Sequence, residues 1–161
     1  MIGKHASRKK DFGSVMLDRF GELEKKSGIR LKTRQKLLLA ETGTLEQALS
    51  ILTQENIVVK VIEQSEKRGI ISRKSVISTG SGKVLVNAQS KIFARALPPS
   101  ALQLIRSREV GIGSIIQQLE LETIRKITQI GYDPGSKNLF RKYQIILGKR
   151  VGFEIREEFL S

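Results

Sequence analysis

From Ile57 to the carboxy terminus, apolar residues recur at every second position in short runs closed by glycine-, proline- or serine-rich turns. This is the period of strands that turn one face to a core. Six runs read as strands, the first on its β-branched residues: "IVVKVIEQ" (57–64), "GIISRKSVIST" (69–79), "VLVNAQSKIFA" (84–94), "LETIRKITQIG" (121–131), "NLFRKYQIIL" (138–147) and "KRVGFEIREEFL" (149–160). "GSGK" joins the second and third as an antiparallel hairpin, and "YDPGSK" and "GKR" close later runs. Helical spacing appears between and before them. "TRQKLLLAETGTLEQALSILTQ" (33–54) reads as two short helices parted at Gly43. The second has Thr44 as N-cap with Gln47 three places on, and a stripe of Leu45, Ala48, Leu49 and Leu52. "LPPSALQLIRSR" (97–108) has prolines suited to a helix start, and "GIGSIIQQLE" (111–120) is a glycine-opened helix or turn. "SVMLDRFGELEKK" (14–26) allows one further short helix. The pattern predicts a single α+β domain, a mainly antiparallel sheet of about six strands with short helices.

Charges interrupt four of the apolar rows. In the last strand one face carries Val151, Phe153, Ile155, Glu157 and Phe159, while Glu154, Arg156 and Glu158 stand on the other. Arg73 lies between Ile71 and Ile77 in the row Ile71, Arg73, Ser75, Ile77. Arg125 does so in Leu121, Thr123, Arg125, Ile127, and Arg141 in Leu139, Arg141, Tyr143, Ile145, Leu147. A buried charge without a partner costs several kcal/mol, so inward arginines ask for an inward anion. One answer is internal: a salt-bridge set around Glu157, or arginines that snorkel at strand ends. The other is a ligand. Three arginines and one glutamate leave two positive charges, which suits a dianion, and the planar guanidinium grips a carboxylate bidentately.

The 161 residues suit one domain. The absence of cysteine removes disulfides, thiolate nucleophiles and iron–sulfur clusters, and a lone histidine, His5, removes a Ser-His-Asp triad in the body of the chain and any multi-histidine metal site. No signal peptide and no apolar run of membrane-spanning length is seen, so a cytoplasmic protein without membrane contact is expected. The net charge is +13, and residues 1–36 hold +7 of it. Residues 1–32 read as a basic, partly flexible arm with little that could dock, ahead of a domain at 33–161. Such an arm touches nucleic acid or an anionic surface, or is simply a solvated tail. An aromatic content of 5% without tryptophan speaks against a nucleic-acid binder, since few stacking surfaces exist.

The ordered set "ETGTLEQAL", "SRKSVI", "GIGSII", "TIRKITQIG", "LFRKYQIILGK" and "EEF" resembles chorismate pyruvate-lyases, and more closely their archaeal and cyanobacterial-type relatives, over roughly residues 33–161. The resemblance implies a chorismate lyase-like fold and elimination of pyruvate from chorismate to give 4-hydroxybenzoate, with no metal or other cofactor. It implies that Arg73, with the backbone amide of Ile112, holds the ring carboxylate, and that Glu157 stands against the ring hydroxyl. Arg125 and Arg141 match basic positions suited to the second carboxylate. The implied partner is a small aromatic or cyclohexadienyl acid; the oligomeric state is left open. Lys74 departs from the acid often found after the arginine, and "EEFLS" lacks the usual proline after phenylalanine. The same fold serves non-catalytic ligand-sensing domains of bacterial transcription regulators, which is the alternative reading. Those regulators carry a winged helix, longer than the 32 residues that precede the resemblance here.

Overall fold

A computed structural model describes residues 11–160. Its elements in chain order are α1 (Phe12–Ser27), α2 (Thr33–Ala40), α3 (Leu45–Thr53), β1 (Ile57–Lys67), β2 (Ile70–Thr79), β3 (Val84–Phe93), α4 (Pro99–Ser107), α5 (Ile112–Gln118), β4 (Thr123–Asp133), β5 (Asn138–Leu147) and β6 (Arg150–Phe159). The six strands make one fully antiparallel sheet in the order β1-β2-β3-β6-β5-β4. The expected α+β class with about six antiparallel strands and short helices therefore holds.

Local chemistry explains the hairpins. Arg68 and Gly69, between β1 and β2, both have positive φ (53° and 77°), as a two-residue turn matched to strand twist requires. Gly82 (φ 98°) turns β2 into β3, and Gly148 (φ 60°) turns β5 into β6. The non-local step is β3 against β6, which sets Ala88 opposite Glu157 and Ser90 opposite Ile155. Among the described residues no helix is long and apolar enough to cross a membrane.

The helices cover one face of the sheet. α4 and α5 press Ala101, Ile105 and Ile115 onto Ile71, Ile92, Ile145, Phe153 and Ile155. α3 presses Leu45 and Leu49 onto Ile77 and Val86. The other face stays open, with Lys74, Lys91, Lys142 and Glu154 exposed on it. Thr44 does sit at the N-cap of α3, but its side chain makes no capping hydrogen bond.

Residues 12–31 correct the reading of the first 32 residues as an arm with little that docks. Phe20 and Leu23 of α1 join Leu31, Leu39 and Leu139 in a buried cluster, and Arg19 Nη1 donates to the Ile127 carbonyl of β4 at 3.1 Å. One narrow stripe does this, so the polar average of the segment hid it. Residues 1–10, with His5 and any contact they make to nucleic acid, lie outside the described residues. Phe20→Ala is expected to lower the unfolding free energy by about 3 kcal/mol, the lower end for truncating a buried phenylalanine. Urea unfolding measures it, and an unchanged midpoint would mean that α1 contributes nothing to the fold.

Candidate functional site

Three small side chains open a gap at the centre of the covered face. Ser75, Ala88 and Ser90 occupy adjoining inward positions on β2 and β3, where Ile77, Val86 and Ile92 further along fill the core. Above that floor lies a cavity of about 40 Å³, closed by Leu45 and Glu46 of α3 and by Ile112 and Gly113 of α5. Arg73, Arg125, Tyr143 and Glu157 also line it. Register brings them together: β3 lies between Arg73 on β2 and Glu157 on β6, and Glu157 is two residues along from Ile155, which is level with Arg73, so the two backbones stand about 12 Å apart on a diagonal of the sheet.

Arg73 is 2% exposed. Its Nε donates to Gln64 Oε1 at 2.8 Å, Nη1 to the Val110 carbonyl at 2.8 Å and Nη2 to the Ile105 carbonyl at 2.9 Å. All three acceptors are neutral. Burial draws its pKa down from the ordinary guanidinium value to about 10, so it remains a cation at neutral pH, without a carboxylate partner among the described residues.

Glu157, 3% exposed, has the opposite character. Arg141 Nε donates to Oε2 at 2.8 Å, and the Tyr143 hydroxyl donates to Oε1. One donor on each oxygen is the setting of a carboxylate, and the remaining lone pairs are free for a ligand. Burial, then the charge of Glu157, holds the Tyr143 phenol well above its ordinary pKa, although Arg141 and Arg125 pull it down. Tyr143 is thus a neutral donor.

The sequence flagged three arginines, and the structure gives them different places. Arg125 lines the cavity, lies 5.8 Å from the Tyr143 ring centroid and donates to the Gly43 carbonyl. Arg141 does not line it. It stands behind Glu157, fully buried, with its guanidinium 4.7 Å from the Tyr143 ring centroid and Nη1 on the Glu41 carbonyl. Its Nη2 is buried with no partner. The internal ion pair expected around Glu157 therefore exists with Arg141, and Arg73 and Arg125 are left over.

Two residues were missed. Glu46 puts a carboxylate into the cavity, so close to Gly113 that a Cβ there would come within 3.0 Å of it. It belongs to a helix whose apolar stripe drew attention away from its polar side. Gln64 ends the run "IVVKVIEQ", and nothing in that run reveals that it meets Arg73. Among the described residues, no three His, Asp or Glu side chains gather where they could hold a metal.

No protein-family model matches the chain. A protein of Mycobacterium leprae (strain TN) named chorismate pyruvate-lyase is 27% identical over 153 residues, covering 78% of this chain and 73% of that protein. The chain is similar to a chorismate pyruvate-lyase. The similarity is distant, and the chemistry of the cavity stands beside it. One end offers a cation with neutral partners, which suits a carboxylate, and the other a carboxylate that can hold or move a proton. At about 40 Å³ the cavity is far below the ~300–1,000 Å³ of ordinary ligand sites, so a ring-sized ligand requires it to widen beneath α3 and α5.

Proposed function

We propose that this protein is a lyase that eliminates pyruvate from chorismate and leaves 4-hydroxybenzoate. The observation that carries the reading is the pairing of Arg73, a buried cation with only neutral partners, with Glu157 across one cavity. A ring with a carboxylate at one end and an oxygen opposite it matches that polarity. The similarity to the Mycobacterium leprae chorismate pyruvate-lyase supports it.

In the proposed mechanism Arg73 and the Ile112 amide fix the ring carboxylate. Arg125, the second cation that lines the cavity, receives the enolpyruvyl carboxylate once its bond to the Gly43 carbonyl opens. The C–H bond at the carbinol carbon breaks, and its electron pair forms the last ring double bond. The neighbouring C–O bond breaks, and the enolate that leaves gains on carbon one proton, balancing the one released from the ring, to become pyruvate. Glu157 lies at the carbinol end, oriented by Arg141 and Tyr143, and Arg125 stabilises the departing anion. Aromatisation supplies the driving force. Residues 33–161 would form the lyase unit, with α1 as a buttress on β4.

The test is incubation of purified protein with chorismate, with pyruvate followed by a coupled lactate dehydrogenase assay and the aromatic product identified by chromatography. Equal amounts of pyruvate and 4-hydroxybenzoate are expected. Unchanged chorismate, with 4-hydroxybenzoate still bound, would replace the lyase by a ligand-sensing domain.

A further inference from the structure

The inner face of β1 runs Ile57, Val59, Val61, and simple alternation would turn Glu63 inward next. It does not. A register shift between Val61 and Glu63 absorbs Ile62, so Ser75 still pairs with Val61 while Lys74 pairs with Glu63 and Arg73 with Gln64. Glu63 is thereby sent to the open face, where it meets Lys74 at 3.4 Å. Gln64 takes the inward place. Its Oε1 accepts from Arg73 Nε at 2.8 Å, and its Nε2 donates to the Ile105 carbonyl at 2.9 Å, the same carbonyl that receives Arg73 Nη2. Gln64, Arg73 and Ile105 thus form a closed triangle of hydrogen bonds.

We infer that Gln64 is the positioning residue that makes Arg73 an anion receptor. Its amide fixes the guanidinium plane as a carboxylate would, yet adds no charge, so the positive charge stays available to a ligand. The bulge is the device that selects it, exchanging an inward carboxylate for an inward amide. Three of the five guanidinium N–H groups are used by Gln64 and the two carbonyls, which leaves two for an incoming carboxylate. The inference rests on the reading of Arg73 as the carboxylate ligand.

Gln64→Glu tests it, because the shape and the bond from Arg73 Nε persist while the charge changes, although the bond from Gln64 Nε2 to the Ile105 carbonyl is lost. Calorimetric titration with 4-hydroxybenzoate should show affinity at least about tenfold weaker than the parent, since Arg73 then has an internal counter-charge. The melting temperature should stay near that of the parent, the new ion pair with Arg73 offsetting the lost bond to the Ile105 carbonyl. Gln64→Ala should weaken binding less and lower the melting temperature. Affinity within about twofold of the parent in Gln64→Glu, beside clear loss in Arg73→Met, would overturn the inference and leave the role of Arg73 intact. Undiminished binding in both variants would remove the carboxylate reading of Arg73 and the inference with it. A sharp fall in the melting temperature of Gln64→Glu would make Gln64 a packing residue and also overturn it.

Discussion

Glu157→Gln should lose roughly 10²–10⁴ in chorismate turnover, the usual contribution of a positioned acid or base. It should also unfold more easily, by about 3 kcal/mol, because Arg141 then keeps a buried charge with no counter-ion. The two effects have one origin. Arg141 is fully buried, its Nε rests on Glu157, its Nη1 on a backbone carbonyl, and its Nη2 has nothing. Among the described residues no other carboxylate is hydrogen-bonded to it. Urea unfolding measures the stability loss, and turnover must be compared at a temperature where both proteins are folded. Tyr143→Phe separates the roles: it removes the donor to Oε1 but keeps the ion pair, so turnover should fall with a smaller change in stability. Glu154→Gln is the control, since Glu154 lies exposed on the open face. Glu158 is a poorer control, because Asn138 and Arg156 bind its carboxylate at 2.8 and 2.9 Å and hold its pKa down at about 2. Loss of turnover in Glu154→Gln with none in Glu157→Gln would contradict the assignment.

Arg73→Met should weaken 4-hydroxybenzoate binding by about 1.5–3 kcal/mol, or roughly 10- to 150-fold, the range for a hydrogen bond to a charged group. Methionine approximates the volume, so a cavity is not the cause. The Ile105 and Val110 carbonyls and Gln64 Oε1 each lose a donor, and the melting temperature should fall as well. Arg73→Lys keeps the charge but not the fork, and should recover only part of the affinity. Titration calorimetry reads all three proteins. Equal affinity in parent and Arg73→Met would place the ligand carboxylate elsewhere.

How far the sequence reached depended on whether a feature was local. Alternation alone set Glu157, Arg73, Arg125 and Arg141 on inward faces, because the side-chain period of a strand is two and a buried face enforces it. The hairpin at "GSGK" was equally local. Alternation carries no information about which strand lies beside which. β3 meets β6 across a long stretch of chain, and only that pairing sets Ala88 against Glu157 and opens the small-residue floor. The separate places of Arg125 and Arg141 follow from the same register: Arg141 is opposite Glu157, whereas Arg125 is opposite Ile145. The β1 bulge was illegible for another reason. In "VVKVIEQ" apolar residues fall in adjacent pairs, Val58–Val59 and Val61–Ile62, so the period fixes no face, and the shift that turns Gln64 inward comes from pairing with β2. The docking of α1, unlike the helix itself, was not legible, because a single stripe of Phe20 and Leu23 is diluted by the charges around it.

The central claim is that an aromatic acid lies between Arg73 and Glu157 inside the covered face of the sheet. A crystal structure of the protein with 4-hydroxybenzoate tests it most directly. The account predicts the ligand carboxylate on Arg73 and the Ile112 amide, the phenolic oxygen within hydrogen-bond reach of Glu157, and α3 or α5 displaced to enlarge the present cavity of about 40 Å³. A ligand seated on the open face, among Lys74, Lys91 and Lys142, with none in the inner cavity, would contradict it.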